Sequence, residues 1–234
     1  MHTLIFDLDS CLYSNPPFLA HIHGNIFKFL VAQKQGKFST ITTVTEARAV
    51  WRPIFSKYNL TQRGLIASGY VFSVTEYDDF IRAGMSDFIK PDPSLRDLVL
   101  SLPQAKKVVL TNSPERHALN CLKLLGLEGV FDEVYGTGFM GEKCKPEVEV
   151  FEKVLAALNV PPEARGGVAY FEDSFMNLKQ GAALGMKTVF VRAETLEAEG
   201  RSEKDLDVFD CVCDKVVNGE DLRRGAPWLW NEGS

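Results

Sequence analysis

Seven residues spread along this 234-residue chain have the types and settings to do chemistry together. Asp7 and Asp9 stand two apart, directly after the apolar run Leu4-Ile5-Phe6. At strand periodicity they point to one side, so two carboxylates share a small volume. Like charges that close repel unless a cation or a shared proton intervenes. Thr111 and Asn112 follow the apolar run Val108-Val109-Leu110, Lys145-Pro146 precedes a helical stretch, and Glu172-Asp173 follow Tyr170-Phe171. For a bound phosphate monoester, a carboxylate can attack phosphorus and form an acyl phosphate, splitting a hard hydrolysis into two easier steps. Attack of an anion on an anion needs charge cancellation, which Mg²⁺ among carboxylate and carbonyl oxygens supplies. Lys145 and the Thr111 hydroxyl would hold the remaining phosphoryl oxygens. A second acid must protonate the leaving alkoxide and then activate water. Asp7 as nucleophile and Asp9 as acid/base fit that division of labour, with Asp173 and Glu172 completing the metal site.

Each group has a blander reading. Asp7 and Asp9 alone would suit a solvated or calcium-binding loop. Thr111 would suit a helix-capping hydroxyl and Lys145 a surface lysine, with Lys143 a rival for its role. The concurrence of acid and hydroxyl groups after apolar runs with an ammonium group before a helix favours one site, and Pro146 at a helix start favours Lys145.

The elements that would position these groups follow from periodicity. From Pro91 onward short apolar runs alternate with amphipathic stretches. "KKVVLTN", "DEVYGT", "GVAYFED" and "KTVFVR" are predicted as strands. Helices are predicted at Ser94 to Ser101, Arg116 to Leu125, Glu147 to Leu158 and Asn177 to Gly185. That alternation is the pattern of a parallel α/β sheet, whose ligands bind at the carboxyl ends of the strands. Residues 15–88 contain no convincing strand and are predicted as a helical insertion, with helices at Phe18 to Gln33, Val44 to Tyr58, Thr61 to Phe72 and Thr75 to Ala83. Residues 1–14 and 89–234 form the α/β core of this scheme. "AETLEAEGRSEKDLD" is charged and expected to be solvated, "FDCVCDKVV" adds an edge strand, and "APWLWNEGS" is a tail whose tryptophans dock on the domain.

Bulk properties narrow the partners. The net charge is −5 with no Lys/Arg cluster, which argues against a nucleic-acid polymer or an acidic membrane surface. Five scattered cysteines suit a reducing compartment better than a disulfide framework, and Cys211-x-Cys213 suits strand packing. With no signal-peptide pattern and no long apolar run, a soluble cytoplasmic protein is expected; an organellar transit peptide already removed would leave the same composition.

Taken in order, "DLDSCLY", "VVLTN", "CKPEVEVFEKVL" and "FEDSFMN" resemble the four motifs of the haloacid dehalogenase (HAD) superfamily of phosphohydrolases. "RGL" at Arg63, "FIKPDPSLRDLVLSL", "TNSPERHALNCLKLLGL" and "GAALGMKT" are further similar to its pyrimidine 5′-nucleotidase-like branch. The resemblance implies a Rossmann-like core with the helical insertion as a C1 cap. It implies Asp7 as nucleophile and Asp9 as general acid/base, with Mg²⁺ held by Asp7, Asp173, the Asp9 carbonyl and Glu172. Thr111 and Lys145 would bind the phosphoryl group, with Asn112 beside them. The substrate it implies is a nucleoside 5′-monophosphate carrying a pyrimidine; a sugar phosphate or other small phosphorylated metabolite is the alternative. The superfamily's dehalogenases lack the second aspartate, so Asp9 points to a phosphatase. Cys11 stands where motif one often has Thr, Glu172 where Asp also occurs, and Asn59 where relatives usually carry Gly.

Tyr58 and Arg63 are candidate cap contacts to a base or sugar, with a cap-core tyrosine and a surface arginine as the plain alternative. His21 and His23, two apart on a helix, face away from each other and make a poor joint metal site. A response-regulator receiver uses similar groups, but its aspartate follows an internal strand of a much smaller domain. A catalytically silent HAD-fold interaction protein is the remaining alternative, disfavoured because every motif carboxylate is present.

Overall fold

The computed structural model describes residues 2–193, 195–214 and 219–230. The chain forms two compact units, Met1–Ser14 with Lys90–Ser234, and Asn15–Ile89.

The chain opens with β1 (Thr3–Phe6) and then runs into the helical unit: α1 (Pro16–Ala32), α2 (Val44–Tyr58), α3 (Thr61–Ala67), α4 (Val74–Ile81) and α5 (Met85–Phe88). Asn15 caps α1 by accepting from the Phe18 amide at 2.9 Å, and prolines open its first turn. Thr43 and Glu46 form a reciprocal capping box at the start of α2. α2 ends at Asn59, whose φ of 54° is the left-handed conformation that asparagine tolerates and glycine prefers. Asn59 therefore keeps the backbone that a glycine would adopt there. The helix expected to run from Thr61 to Phe72 stops at Ala67, because Gly69 turns left-handed (φ 79°) and ends it. Phe29, Leu30, Phe38, Leu65, Tyr77 and Ile81 form the core of this unit.

The second unit continues through α6 (Pro93–Ser101), β2 (Lys106–Leu110), α7 (Glu115–Leu124), β3 (Glu133–Tyr135), α8 (Thr137–Met140), α9 (Val148–Ala157), β4 (Val168–Glu172), α10 (Phe175–Ala183), β5 (Lys187–Val191), α11 (Thr195–Ala198), β6 (Cys211–Cys213) and α12 (Gly219–Gly225). Its strands lie in the order β3-β2-β1-β4-β5-β6 and every pairing is parallel. Buried on both faces, such strands need continuous apolar runs, and β1 and β4 are buried at every position. One face packs Ile5, Val108, Tyr170 and Phe190 against Phe151 and Val154 of α9 and Leu178 of α10. The expected α/β parallel-sheet architecture with a helical cap region is what the chain adopts.

Register decides what the sheet presents. Phe6 lies opposite Val109 on one side and Phe171 on the other. The carboxyl ends of β1, β2 and β4 therefore finish level, and the Asp7 amide extends the ladder onto the Phe171 carbonyl at 2.8 Å. Strand order reverses between β1 and β4, the point where open α/β sheets leave a crevice.

Two expectations need correction. β1 ends at Phe6, so strand alternation does not relate Asp7 to Asp9; the chain turns at once, with the Leu12 amide on the Leu8 carbonyl at 3.0 Å and Ser10 at φ 65°. The charged segment after β5 is not simply solvated either. Leu196 and Leu206 enter the core, and just beyond the segment Phe209 stacks on Phe190 at 5.6 Å. A few well-spaced apolar residues anchor a segment whose average composition is polar.

β6 pairs with β5 as the expected edge strand, its two cysteines buried and free. Residues 215–217 of that run and 231–234 of the tail lie outside the described residues. Leu229 is buried between the half-buried Trp228 and Trp230, and the Arg223 guanidinium sits 4.3 Å from the Trp230 ring centre. Among the described residues, no helix is long and apolar enough to cross a membrane.

Candidate active site

Lys145 is the hub of the strand-end cluster. Its ammonium donates to Asp7 Oδ1 at 2.6 Å, Glu172 Oε2 at 2.7 Å and the Leu110 carbonyl at 2.8 Å, so it joins the ends of β1, β4 and β2. Only 1% of this lysine is exposed, which removes the surface-lysine alternative. Its rival Lys143 instead pairs at the surface with Glu147 and Glu149. Asn112 brackets the backbone of Lys145: its amide nitrogen donates to the Lys145 carbonyl at 3.2 Å, and its oxygen accepts from the Lys145 amide at 2.9 Å. The side chain expected beside the phosphoryl group is thus engaged in holding the lysine.

Glu172 has further partners on both oxygens. Tyr170 donates its hydroxyl to the same Oε2 that takes Lys145, and the Ser174 amide reaches Oε1 at 3.1 Å. The sequence signal for Tyr170 existed, since residues two apart on a strand share a face, but a tyrosine inside a buried strand is by default core.

Asp9 is held separately. Tyr13 donates to its Oδ1 at 2.5 Å and Ser113 to its Oδ2 at 2.8 Å. Thr111, also 1% exposed, accepts the Ser113 amide on its hydroxyl at 3.1 Å. Ser113 follows Thr111 and Asn112 at the strand end with no role expected of it, and Tyr13 is not expected at the site; its available signal is the spacing from Asp9 across a tight turn.

Charge is unevenly shared. Burial, the neighbouring Glu172 and Asp9 push the Asp7 carboxyl up to about 8 against the opposing pull of Lys145. Burial acts to lower the Lys145 ammonium, yet Asp7 and Glu172 beside it hold it above its ordinary value. Burial works to raise Glu172, but Lys145 and the Tyr170 hydroxyl keep it below the usual carboxylate range. Lys145 reaches both carboxylates at nearly the same distance, and one ammonium cannot neutralise two buried acids. Cys11 is a buried neighbour whose thiol burial, then Asp7, Glu172 and Asp173, push up strongly, so it stays protonated.

Asp7, Glu172 and Asp173 can each bring one carboxylate oxygen within 4.8 Å of the others, and all three are buried. When ionised, three carboxylates against one ammonium leave an excess of two negative charges, the charge of one divalent cation. The donors are all hard oxygens, which fit Mg²⁺ rather than a softer metal. Asp9 lies outside that carboxylate trio. Tyr58 and Arg63 fall in the helical unit, on the last turn of α2 and in α3, with Lys57 Nζ 5.0 Å from the Tyr58 ring centre. His21 bonds to the Ala83 carbonyl, while His23 packs on Trp51, so the two do not act as a pair.

Comparison with known proteins gives the family and the fold. A model of the haloacid dehalogenase-like hydrolases matches residues 1–185. The chain is 27% identical over 214 residues to Phosphate metabolism protein 8 of Saccharomyces cerevisiae, across 84% of this chain and 63% of that protein. It is 33% identical over 108 residues to the Phosphorylated carbohydrates phosphatase of Thermotoga maritima, across 45% of this chain and 48% of that protein. The chain thus spans less than two thirds of the length of either relative. Among solved structures, the HAD phosphatase from Thermococcus onnurineus superposes with a TM-score of 0.66 at 17% identity, covering 96% of this chain and 97% of that one. The HAD hydrolase YfnB of Bacillus subtilis, bound to magnesium, superposes with a TM-score of 0.57 at 17% identity, covering 95% and 97%. From its strand-end acids to its sheet order, and by the match over most of its length, this chain belongs to the haloacid dehalogenase-like hydrolases.

Proposed function

We propose that this hydrolase is a Mg²⁺-dependent phosphomonoesterase that works through an aspartyl-phosphate on Asp7. The observation that carries the proposal is the Lys145 bridge between Asp7 and Glu172 beside a trio of buried carboxylates. Buried with one ammonium shared between two acids, Asp7 is held toward its protonated form, and further positive charge favours the carboxylate that attacks. Held by Asp7, Asp173, the Asp9 carbonyl and Glu172, Mg²⁺ would supply that charge and lower the repulsion between nucleophile and substrate.

An Asp7 oxygen bonds to phosphorus as the bond from phosphorus to the ester oxygen breaks. Asp9, as the acid, passes its proton to the departing oxygen and the alcohol leaves. Asp9, now a carboxylate, takes a proton from the water that attacks the phosphorus of the acyl phosphate. Inorganic phosphate leaves and Asp7 returns as a carboxylate. Thr111 holds a phosphoryl oxygen, and Lys145 reaches another by turning one of its three N–H groups away from its present acceptors. Asn112 keeps the lysine in register through its two backbone bonds.

We assign substrate choice to residues 15–88 as a cap on the core of 1–14 and 89–234, with Tyr58 and Arg63 as its contacts. Motif resemblance favours a pyrimidine nucleoside 5′-monophosphate; the relative named for phosphorylated carbohydrates favours a sugar phosphate as second reading.

Phosphate release from UMP, CMP, AMP, GMP and several sugar phosphates, each with Mg²⁺ and with chelator, tests both levels. Chelator-sensitive release that is lost in Asp7→Asn and Asp9→Asn is expected. Preference for UMP or CMP supports the nucleotidase reading, and preference for sugar phosphates moves the substrate. No turnover of any compound overturns the phosphatase in favour of an interaction protein.

A further inference from the structure

We infer that Tyr13 and Ser113 are positioning residues that aim the Asp9 carboxylate for proton transfer, an assignment that rests on the phosphomonoesterase reading. Two distant segments supply one donor to each oxygen: Tyr13 to Oδ1 at 2.5 Å, four residues along the turn, and Ser113 to Oδ2 at 2.8 Å, from the end of the second motif. A carboxylate gripped on both oxygens from two directions cannot rotate about its last bond without breaking one contact.

The donors are themselves fixed. The Ser113 amide bonds to Thr111 Oγ1 at 3.1 Å, and its carbonyl accepts from the Thr137 amide at 3.1 Å. Ser113 is 7% exposed, so its hydroxyl has little competing water. Tyr13 is placed by the Leu8–Leu12 turn and by the bridge pairing Asp9 with Tyr13.

The chemistry of the grip suits a group that changes protonation. A lysine or arginine only donates, and would lock Asp9 as an anion. A hydroxyl both donates and accepts hydrogen bonds, so it can turn to accept one from the acid form of Asp9 and to donate one to its carboxylate. Each carboxylate oxygen also keeps a second lone pair, which leaves Asp9 able to meet a leaving oxygen or a water. The second motif thereby divides its labour: Thr111 for the phosphoryl group, Asn112 for Lys145, and Ser113 for Asp9.

Leaving-group dependence separates this role from a merely structural one. An alkoxide needs a proton to leave, whereas p-nitrophenolate does not. Tyr13→Phe, Ser113→Ala and Ser113→Thr are compared with wild type and Asp9→Asn, using the best alkyl phosphate of the panel and p-nitrophenyl phosphate. Single-turnover release of each alcohol isolates the first step. Tyr13→Phe and Ser113→Ala are expected to lower that step about 10- to 100-fold for the alkyl phosphate. KM should stay within about threefold, and p-nitrophenolate release should fall far less. Ser113→Thr, which keeps the hydroxyl, should recover most of the loss. Equal losses with both leaving groups, or alkyl phosphate rates within about twofold of wild type while Asp9→Asn is inactive, overturn the inference alone. A wild-type protein inert toward every ester removes the phosphomonoesterase reading, and this inference falls with it.

Discussion

At the residue scale, the exchange of charge between Asp7, Glu172 and Lys145 has a consequence in stability. Burial, with the nearby acids, keeps a proton on folded Asp7 up to about 8, while an unfolded aspartate loses it near the ordinary 3.8. Between those values the folded protein binds the extra proton, so this residue's contribution to stability is complete below the lower value and is lost as pH rises toward the upper one. Asn at this position carries no charge at any pH. In chelator, Asp7→Asn should therefore gain stability relative to wild type as pH is raised from about 4 to 8. Saturating Mg²⁺ should reverse the order, because the cation binds the folded carboxylate and stabilises only wild type fully. Urea melts of both proteins across pH, with and without Mg²⁺, check this; parallel curves in chelator would remove the assigned charge imbalance. The same cluster shows what was legible. Asp7 and Asp173 stand out because ionisable groups at the ends of apolar runs are costly unless used, and Lys145 stands out by the proline that follows it at a helix start. Tyr170, Tyr13 and Ser113 do not stand out, because a tyrosine or serine next to such runs is explained equally well by packing or capping.

At the element scale, the strands were legible because a parallel sheet buried on both faces demands continuous apolar runs, and β1, β2, β4 and β5 have them. Extents were harder. The α3 helix yields to Gly69, and the charged segment after β5 hides Leu196 and Leu206 among acids and bases. Neither the positive φ nor the burial is visible in a composition average. The loop after β3 passes so close to the second motif that side chains are excluded at Gly136. A Cβ there would run into the Ser113 carbonyl and lie 2.8 Å from the Glu115 amide, both backbone atoms that cannot swing aside. Its φ of −120° is open to alanine, so the obstacle is space alone. Gly136→Ala should cost about 1–3 kcal/mol in urea melts and disturb Ser113. Gly138→Ala is the matched comparison, since its Cβ meets only the Glu115 carboxylate, a side-chain end whose displacement strains hydrogen bonds to three backbone amides but moves no backbone. A smaller loss at 138 than at 136 is expected, and equal losses would show that the loop simply shifts.

At the scale of the whole molecule, the first strand pairs with β2 only after a long helical unit has intervened, at the register Thr3 opposite Lys106. A sheet assembled across such an insertion must fold without the insertion bridging it, or depend on it. The helical unit favours the first case by holding its own ends together: the Asn15 side-chain amide donates to the Phe88 carbonyl at 2.9 Å. It also keeps a separate aromatic core, in which Phe29 packs edge-on against Tyr77 at 5.2 Å. Neighbouring ends can be rejoined by a short flexible linker at small entropic cost, since closure entropy grows only slowly with loop length. A chain in which residues 15–89 are replaced by about six Gly/Ser residues should unfold cooperatively and keep its stabilisation by Mg²⁺, because the carboxylate trio and Lys145 all lie in the remaining unit. Its hydrolysis should persist at a reduced rate and lose its discrimination between nucleotides and sugar phosphates, since substrate choice is assigned to the part removed. Calorimetry with and without Mg²⁺, followed by the phosphate-release panel, checks both halves. A broad, metal-insensitive transition would mean that the core needs the helices to fold, and retained selectivity would place the specificity determinants on the strand ends themselves.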